Sequence, residues 1–259
     1  MREKMKDTDY GKNDVVISVR GLFKAFDGSR VLEGIDLDVH RSENVVVLGR
    51  SGSGKSVLIR CIAGLLRPDA GSVVVMGREV ARLHPEELRR LRLKIGFLFQ
   101  GSALYDSMTV RENLSFSLLR FAKEKSRAEV DQSIREMLQS LELDGTEDKV
   151  PSELSGGQKK RVAIARTLIL HPEIMLYDEP TAGLDPMTSR EINDLINKVQ
   201  QTFRTTSIII THDLTCAKMT GDRILILEGG RFIREGSFEA VFGAVDPVVH
   251  SFYEYNFID

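Results

Sequence analysis

The residues Gly49-Arg50-Ser51-Gly52-Ser53-Gly54-Lys55-Ser56 have the types and spacing of a loop that holds phosphate. Three glycines let the backbone curl so closely that successive N–H groups converge on one oxyanion, and the partial positive end of the helix that follows adds to them. Lys55 is spaced to reach the β- and γ-phosphates of a nucleotide, and Ser56 to offer its hydroxyl to Mg²⁺. Chance gives the pattern G-x-x-x-x-G-K-[ST] in roughly one chain in a hundred of this length, so a solvent-exposed turn is the weaker reading.

Two further groups of residues supply what such a loop lacks. Ile174-Met175-Leu176-Tyr177-Asp178-Glu179 is an apolar run ending in two carboxylates. As a strand of a parallel sheet it sets both acids at the C-terminal edge, where ligands bind. Asp178 is then placed for the Mg²⁺ shell. Glu179, one residue on and pointing differently, is placed to polarise the water that attacks a terminal phosphate. A helix N-cap pair before Pro180 is the plainer alternative. Leu154-Ser155-Gly156-Gly157-Gln158 opens an amphipathic helix with apolar Val162, Ile164, Ala165 and Leu168. Its free N–H groups, serine hydroxyl and partial positive charge form an anion site without a lysine, or, read alone, an ordinary Ser-Gly cap.

The elements that must position these groups are legible in outline. Val45–Leu48 is an apolar strand before the glycine loop, and Ser56–Leu66 has helical spacing after it, closing at the turn Arg67-Pro68-Asp69-Ala70-Gly71. Val15–Val19 and Leu32–Val39 alternate as antiparallel strands, and Val73–Met76 is a further strand. Glu86–Leu91 reads as a short charged helix before a buried strand, Ile95–Phe99. Val110 to Leu143 is helical apart from a surface turn at Lys123–Glu129. Strands Ile174–Tyr177, Ser207–Thr211 and Arg223–Leu227 each follow a helix. The expected layout is a parallel sheet between helices, an antiparallel N-terminal patch and a helical lobe inserted from about Gly101 to Glu153.

Composition narrows the function classes. The 259 residues are 42% hydrophobic with a net charge of −2, enough for a packed core and no electrostatic footprint for nucleic acid. Cys61 and Cys216 lie in apolar, helix-like stretches and read as reduced, buried thiols. The first fourteen residues are polar and charged, unlike a secretion signal or membrane anchor. Apolar runs are strand-sized, far short of the roughly 18–20 residues that span a bilayer, so a membrane role requires another chain to supply the span.

Taken in order, these segments resemble the nucleotide-binding subunit of ATP-binding-cassette (ABC) transporters from about Val15 to Gly236. The likeness extends to a Q-loop glutamine at Gln100 in Phe97-Leu98-Phe99-Gln100, a D-loop at Ala182-Gly183-Leu184-Asp185 and a switch histidine at His212 in Ile210-Thr211-His212-Asp213. It implies an α/β fold with a P-loop NTPase (RecA-like) core, an antiparallel β subdomain and an inserted α-helical subdomain. It also implies domains of 1–14 as a polar tail, 15–243 as the ATPase and 244–259 as an extension. The substrate it implies is ATP and the cofactor Mg²⁺, held by Ser56, Gln100 and Asp178, with Glu179, His212 and Gln100 expected to carry the catalysis. It further implies that ATP is bound by Phe26, stacking on adenine, by Gly49, Arg50, Ser51, Gly52, Ser53, Gly54, Lys55, Ser56 and Val57, and by Ser155, Gly156, Gly157, Gln158 and Asp185.

The resemblance further implies two cassettes packed head to tail, so that the loop around Lys55 of one and Ser155–Gln158 of the other close on the same ATP. Asp185 would link the two sites. A homodimer with two competent sites is the simplest form, and pairing with a degenerate partner is the alternative. Integral-membrane permease subunits are the other expected partners, which places the chain at the cytoplasmic face of the inner membrane. A narrower likeness runs through Phe99–Leu114, Gly49–Val57, Lys159-Lys160-Arg161 and Pro180–Pro186, which are similar to cassettes of the Mla/MCE lipid transporters, with MCE-type accessory proteins as possible companions. Gln158 departs from that branch, many members of which carry Met there. The rivals are an importer of a small polar solute and a soluble ABC protein without a permease; a P-loop kinase leaves Leu154–Gln158 and His212 unexplained. After Gln100, Gly101, Ala103, Leu104 and Met108 form either a groove for a permease helix or a seam between lobes. The aromatic end Phe252, Tyr253, Tyr255 and Phe257 packs either on a partner or on its own chain.

Overall fold

The computed structural model describes residues 14–121 and 126–243. The polar N-terminal tail apart from Asp14, residues 123–125 of the expected turn, and the aromatic C-terminal extension lie outside these residues. In chain order the strands and helices are β1 (Val15–Phe26), β2 (Ser29–His40), β3 (Asn44–Leu48), α1 (Lys55–Ile62), β4 (Ala70–Val75), β5 (Arg78–Glu79), α2 (Pro85–Arg92), β6 (Ile95–Leu98), α3 (Val110–Phe121), α4 (Arg127–Ser140), α5 (Gly156–Leu168), β7 (Ile174–Asp178), α6 (Pro186–Phe203), β8 (Thr206–Thr211), α7 (Leu214–Thr220), β9 (Arg223–Glu228), β10 (Arg231–Gly236) and α8 (Phe238–Phe242).

A six-stranded sheet, ordered β10-β9-β3-β8-β7-β6, carries the phosphate loop; β9, β3, β8, β7 and β6 run parallel and β10 returns antiparallel along β9. Its central strands are apolar at nearly every position because helices cover both faces. Val46 and Leu48 of β3 point into one core with α5, α6 and α7, while Val45 and Val47 point into the other with α1 and the second sheet. That second sheet, ordered β2-β1-β4-β5, is the antiparallel patch.

The helical lobe is not a separate globule. Val110, Leu114 and Leu118 of α3 and Ile134 and Leu138 of α4 share one core with Val162 and Ile164 of α5, and through them with the sheet. Helix α5 therefore belongs to lobe and sheet alike.

Some boundaries differ from the sequence expectation, each for a local reason. The first two strands run twelve residues each, because β1 continues past Val19 through register shifts around Arg20 and Gly21 and ends in a hairpin at Asp27-Gly28. Both turn residues have positive φ, 48° and 80°, as the two-residue hairpin turn requires. Helix α1 stops at Ile62 instead of Leu66. Gly64 sits at φ 66°, and a Cβ there would lie 2.8 Å from side-chain carbons of both Leu88 and Val80, so the helix cannot run on. The helix α4 starts at Arg127 rather than after Glu129, since Ser126 and Glu129 form a reciprocal capping box that pulls its start forward. Both cysteines are buried free thiols, with burial pushing Cys61 up to about 11 and Cys216 up to about 12.

Candidate functional site: a phosphate loop at the sheet edge

The loop from Gly49 to Gly54 leaves β3 at the C-terminal edge of the parallel sheet and enters α1. Gly54 caps α1 at φ 101° with no side-chain hydrogen bond, so the first N–H groups of the helix face outward unclaimed by any cap. A Cβ on Gly54 would fall 2.8 Å from the Val31 carbonyl oxygen, and one on Gly49 2.6 Å from that of Leu227. Both positions thus admit only glycine, and the backbone itself forms the cradle. A cavity of about 690 Å³ opens over the loop. Arg50 to Gly52 and Gly54 to Val57 form its floor, Gln100, Glu179 and His212 the opposite wall, and Val31 one side.

Lys55, Glu179 and His212 meet at the cavity, and Ser56 of its lining pairs with Asp178 behind it. The Lys55 ammonium, only 5% exposed, donates to the carbonyls of Gly49 (2.7 Å) and Arg50 (3.1 Å) and lies 3.3 Å from Glu179 Oε1. Glu179 Oε2 meets His212 Nδ1 at 2.9 Å and accepts the His212 backbone N–H at 3.3 Å. Asp178 Oδ1 accepts from the Ser56 hydroxyl at 3.0 Å. Burial pushes the Asp178 carboxyl above its ordinary range and Glu179 adds to this, against the Ser56 hydrogen bond and the charges of Arg60 and Lys55. A divalent cation relieves such a carboxylate. Ser56 and Asp178 offer the hard oxygen donors that Mg²⁺ takes, so the residues fit that ion. Adjacent acids serve different partners because Glu179 turns to φ 50° directly after β7.

The remaining expected residues fall into place less evenly. Ser155 caps α5, its hydroxyl accepting the Gln158 N–H (3.2 Å) while Gln158 Oε1 accepts the Ser155 N–H (3.0 Å). This capping box uses the serine's lone pair and leaves its O–H proton to donate outward. Ser155 to Gln158 do not line the cavity over Lys55. Asp185 serves as N-cap of α6, accepting from the Met187 and Thr188 N–H groups and the Thr188 hydroxyl, which holds its carboxyl below the usual range. The ring of Phe26 is 41% exposed beside the hairpin turn, with the Lys24 ammonium 5.1 Å from its centre, and it too is outside the cavity lining.

Two residues of this region escaped the sequence reading. Val31 walls the cavity, a role set by how the β1–β2 hairpin folds over Gly54. Lys160 is 4% exposed on α5 and donates to the backbone carbonyl of Gln100 at 2.6 Å. Burial lowers the Lys160 ammonium from its ordinary value, against the charges of Asp178 and Glu179. Its signal in the sequence is a lysine on the inward face of an otherwise apolar helix, at helical spacing from Ile164 and Leu168.

A glycine cradle between strand and helix, with paired acids at the end of a neighbouring strand, defines the class of P-loop nucleoside triphosphatases. Within that class the family model for the ABC transporter matches residues 32–182, more than half the chain, and the chain belongs to that family. It is an ABC ATPase, hydrolysing ATP to drive transport. The protein trigalactosyldiacylglycerol 3 of the Arabidopsis thaliana chloroplast is 38% identical over 257 residues, covering 93% of this chain and 74% of its own. The methionine import ATP-binding protein MetN of Clostridium tetani is also 38% identical, over 88% of this chain and 71% of its own. Among solved structures, the ATP-binding cassette MJ0796, a dimer bound to ADP and Pi, superposes with a TM-score of 0.78 at 33% identity over 86% of this chain and 98% of its own. CbiO1 of Clostridium perfringens, part of the ABC transporter complex cbiONQ, gives 0.82 at 32% identity over 89% and 92%. Among the described residues no helix is long and apolar enough to cross a membrane.

Proposed function

We propose that this ATPase works as a homodimer in which each chain completes the other's site, attached to membrane-embedded permease subunits at the cytoplasmic face of the inner membrane. The observation that carries the reading is the separation of two anion sites in one chain. The cradle over Lys55 is lined without Ser155 to Gln158, whose outward hydroxyl and helix N-terminus have no phosphate to meet in their own chain. A head-to-tail pair brings them to the γ-phosphate of the partner's ATP, and the dimeric MJ0796 cassette supports that arrangement. The cbiONQ complex supports attachment to other transporter subunits.

In this reading Lys55 binds the β- and γ-phosphates, and the phosphate charge draws it away from Glu179. Glu179 Oε1 is then free to take the proton of the attacking water, while His212, hydrogen-bonded to Oε2, holds the carboxylate in place and faces the γ-phosphate. Ser56 and Asp178, together with Gln100, would hold Mg²⁺, which would supply charge neutralisation at the phosphate oxygens. Phe26 stacks on the adenine with its exposed face, and Asp185 acts across the dimer seam from its place at the start of α6.

The cargo in this reading is a phospholipid or another hydrophobic molecule, carried by a transporter of the Mla/MCE type with its accessory proteins. The motif likeness described above supports it, as does a relative named for a galactolipid. A second reading, import of a small polar solute, is favoured by the equally similar methionine import protein. The exposed rings of Phe99, Tyr105 and Phe116 and the side chain of Leu119, beside Gln100 and on α3, suit a permease helix. Detergent extraction of membranes, affinity capture of this chain and mass spectrometry of the captured subunits and lipids test both readings. Enriched phospholipid with an MCE-type subunit supports the first, and a solute-binding subunit without lipid supports the second. Capture without any integral-membrane chain overturns both.

A further inference from the structure

We infer that Lys160 is a positioning residue for ATP hydrolysis, the tie by which the helix that reaches toward the partner's ATP fixes the Gln100 segment over its own. Lys160 stands one turn into α5, the helix whose N-terminus carries Ser155, Gly156 and Gly157. Its ammonium is buried at 4% exposure and donates to the Gln100 carbonyl at 2.6 Å, sixty residues away in the chain. The charges that face it are Asp178 and Glu179, the acids of the site. Farther along α5, Arg166 donates to the Ser102 carbonyl at 3.4 Å and lies 5.7 Å from the ring centre of Tyr105.

The segment held by these two cations is strained, though Ser102 N–H donates to the Phe99 carbonyl and Ala103 N–H to that of Gly101. Ser102 and Ala103 are consecutive non-glycine residues at φ 61° and 51°, a left-handed pair that persists only where the surroundings impose it. A buried ammonium is a costly choice for a purely mechanical contact, since an apolar side chain would fill the same helix position without desolvating a charge. The charge is repaid by the Gln100 carbonyl and the field of the two acids. Any shift of α5, pressed at its N-terminus by the partner's nucleotide, is carried through Lys160 to the backbone of Gln100, whose side chain lines the cavity.

This inference rests on the placing of Gln100 in the proposed function, and its test separates the two. In the purified full-length chain, ATP affinity, kcat and amide hydrogen exchange are measured for Lys160→Met, Gln100→Ala and the double variant. Lys160→Met is expected to leave ATP affinity within about twofold, lower kcat about tenfold or more, and speed exchange at residues 100–105. The double variant should fall little below Gln100→Ala alone, because both changes remove one coupled element. If Gln100→Ala hydrolyses normally, the role of Gln100 is wrong and the tie has no purpose. If Gln100→Ala is slow while Lys160→Met turns over normally, or if the two losses multiply, Gln100 keeps its role and the Lys160 inference is overturned. Should the methionine variant not fold, Lys160→Leu is measured under the same criteria, while Lys160→Gln, which keeps an N–H donor, is expected to retain kcat within a few-fold, and a loss as large as that of the apolar variant would overturn the inference.

Discussion

At the scale of single residues, Glu179 shows how much one dihedral decides. Its φ of 50° costs about 1–3 kcal/mol for a side chain with a Cβ. In return its carboxylate swings from Asp178 toward Lys55 and His212, so that one acid faces Ser56 and the next faces the cavity. Glu179→Gln keeps the shape and the turn but removes the carboxylate proposed as the base; ATP affinity should hold while kcat falls by about 10²-fold or more, read from steady-state phosphate release. Lys55→Ala acts earlier. Removing a buried ammonium from the cradle should weaken ATP binding by about 10–100-fold, the worth of a charge-assisted hydrogen bond or two, measured by equilibrium titration with labelled nucleotide. Both residues were legible from type and spacing. Val31 and Lys160 were not read as part of the site, because their roles depend on which distant segment packs against them.

At the scale of elements, continuous apolar runs announced the parallel strands, since a strand covered on both faces has no reason to alternate. The ends were less legible: β1 runs on through irregular register, and α1 is stopped by side chains of α2 and Val80 that lie far ahead in the chain. Ion pairs between strands were equally invisible. Arg223 at the start of β9 donates to both carboxylate oxygens of Glu43, just before β3, and also pairs with Glu235 of β10. Burial raises the Glu43 carboxyl, but the Arg223 hydrogen bonds, with the His40 N–H, outweigh it and leave it below its ordinary value. A depressed native carboxylate contributes stability above its unfolded value of about 4.3 and loses it as the pH falls through the lower native one. Arg223→Leu should cost about 1–2 kcal/mol at pH 7 by removing the guanidinium from half-buried Glu43, which keeps the His40 N–H. The gap to wild type should narrow on acidification, as urea midpoints taken from pH 7 to pH 3.5 would show.

At the scale of the whole molecule, one chain presents two helix starts suited to anions, those of α1 and α5, and the second does not line the cavity over the first. Gly156 and Gly157 seat the start of α5 against the segment after β7, where Cβ atoms would fall 3.2 Å from Leu184 Cδ2 and 2.6 Å from Thr188 Cγ2. Ser155 itself is exposed at the helix start. If the two are halves of a site shared between chains, Lys55→Ala and Ser155→Arg each abolish turnover alone. Mixed in equal amounts and allowed to exchange, they should recover roughly a quarter of wild-type ATPase activity, because half the dimers then hold one intact site of two. No recovery in the mixture, with dimers shown to form, would mean that each chain completes its own site.

The sequence by itself determined the chemistry and the order of parts: a glycine cradle, a lysine, two acids, a histidine and a capped helix, each set by local residue types whose geometry needs only near neighbours. Tertiary structure alone decided which of them meet. The cavity gathers residues 31, 50–52, 54–57, 100, 179 and 212 because five parallel strands end at one edge, while the same packing leaves Ser155 outside it and buries Lys160 beneath Gln100. Such meetings depend on sheet order and core packing across more than a hundred residues, which no local pattern encodes.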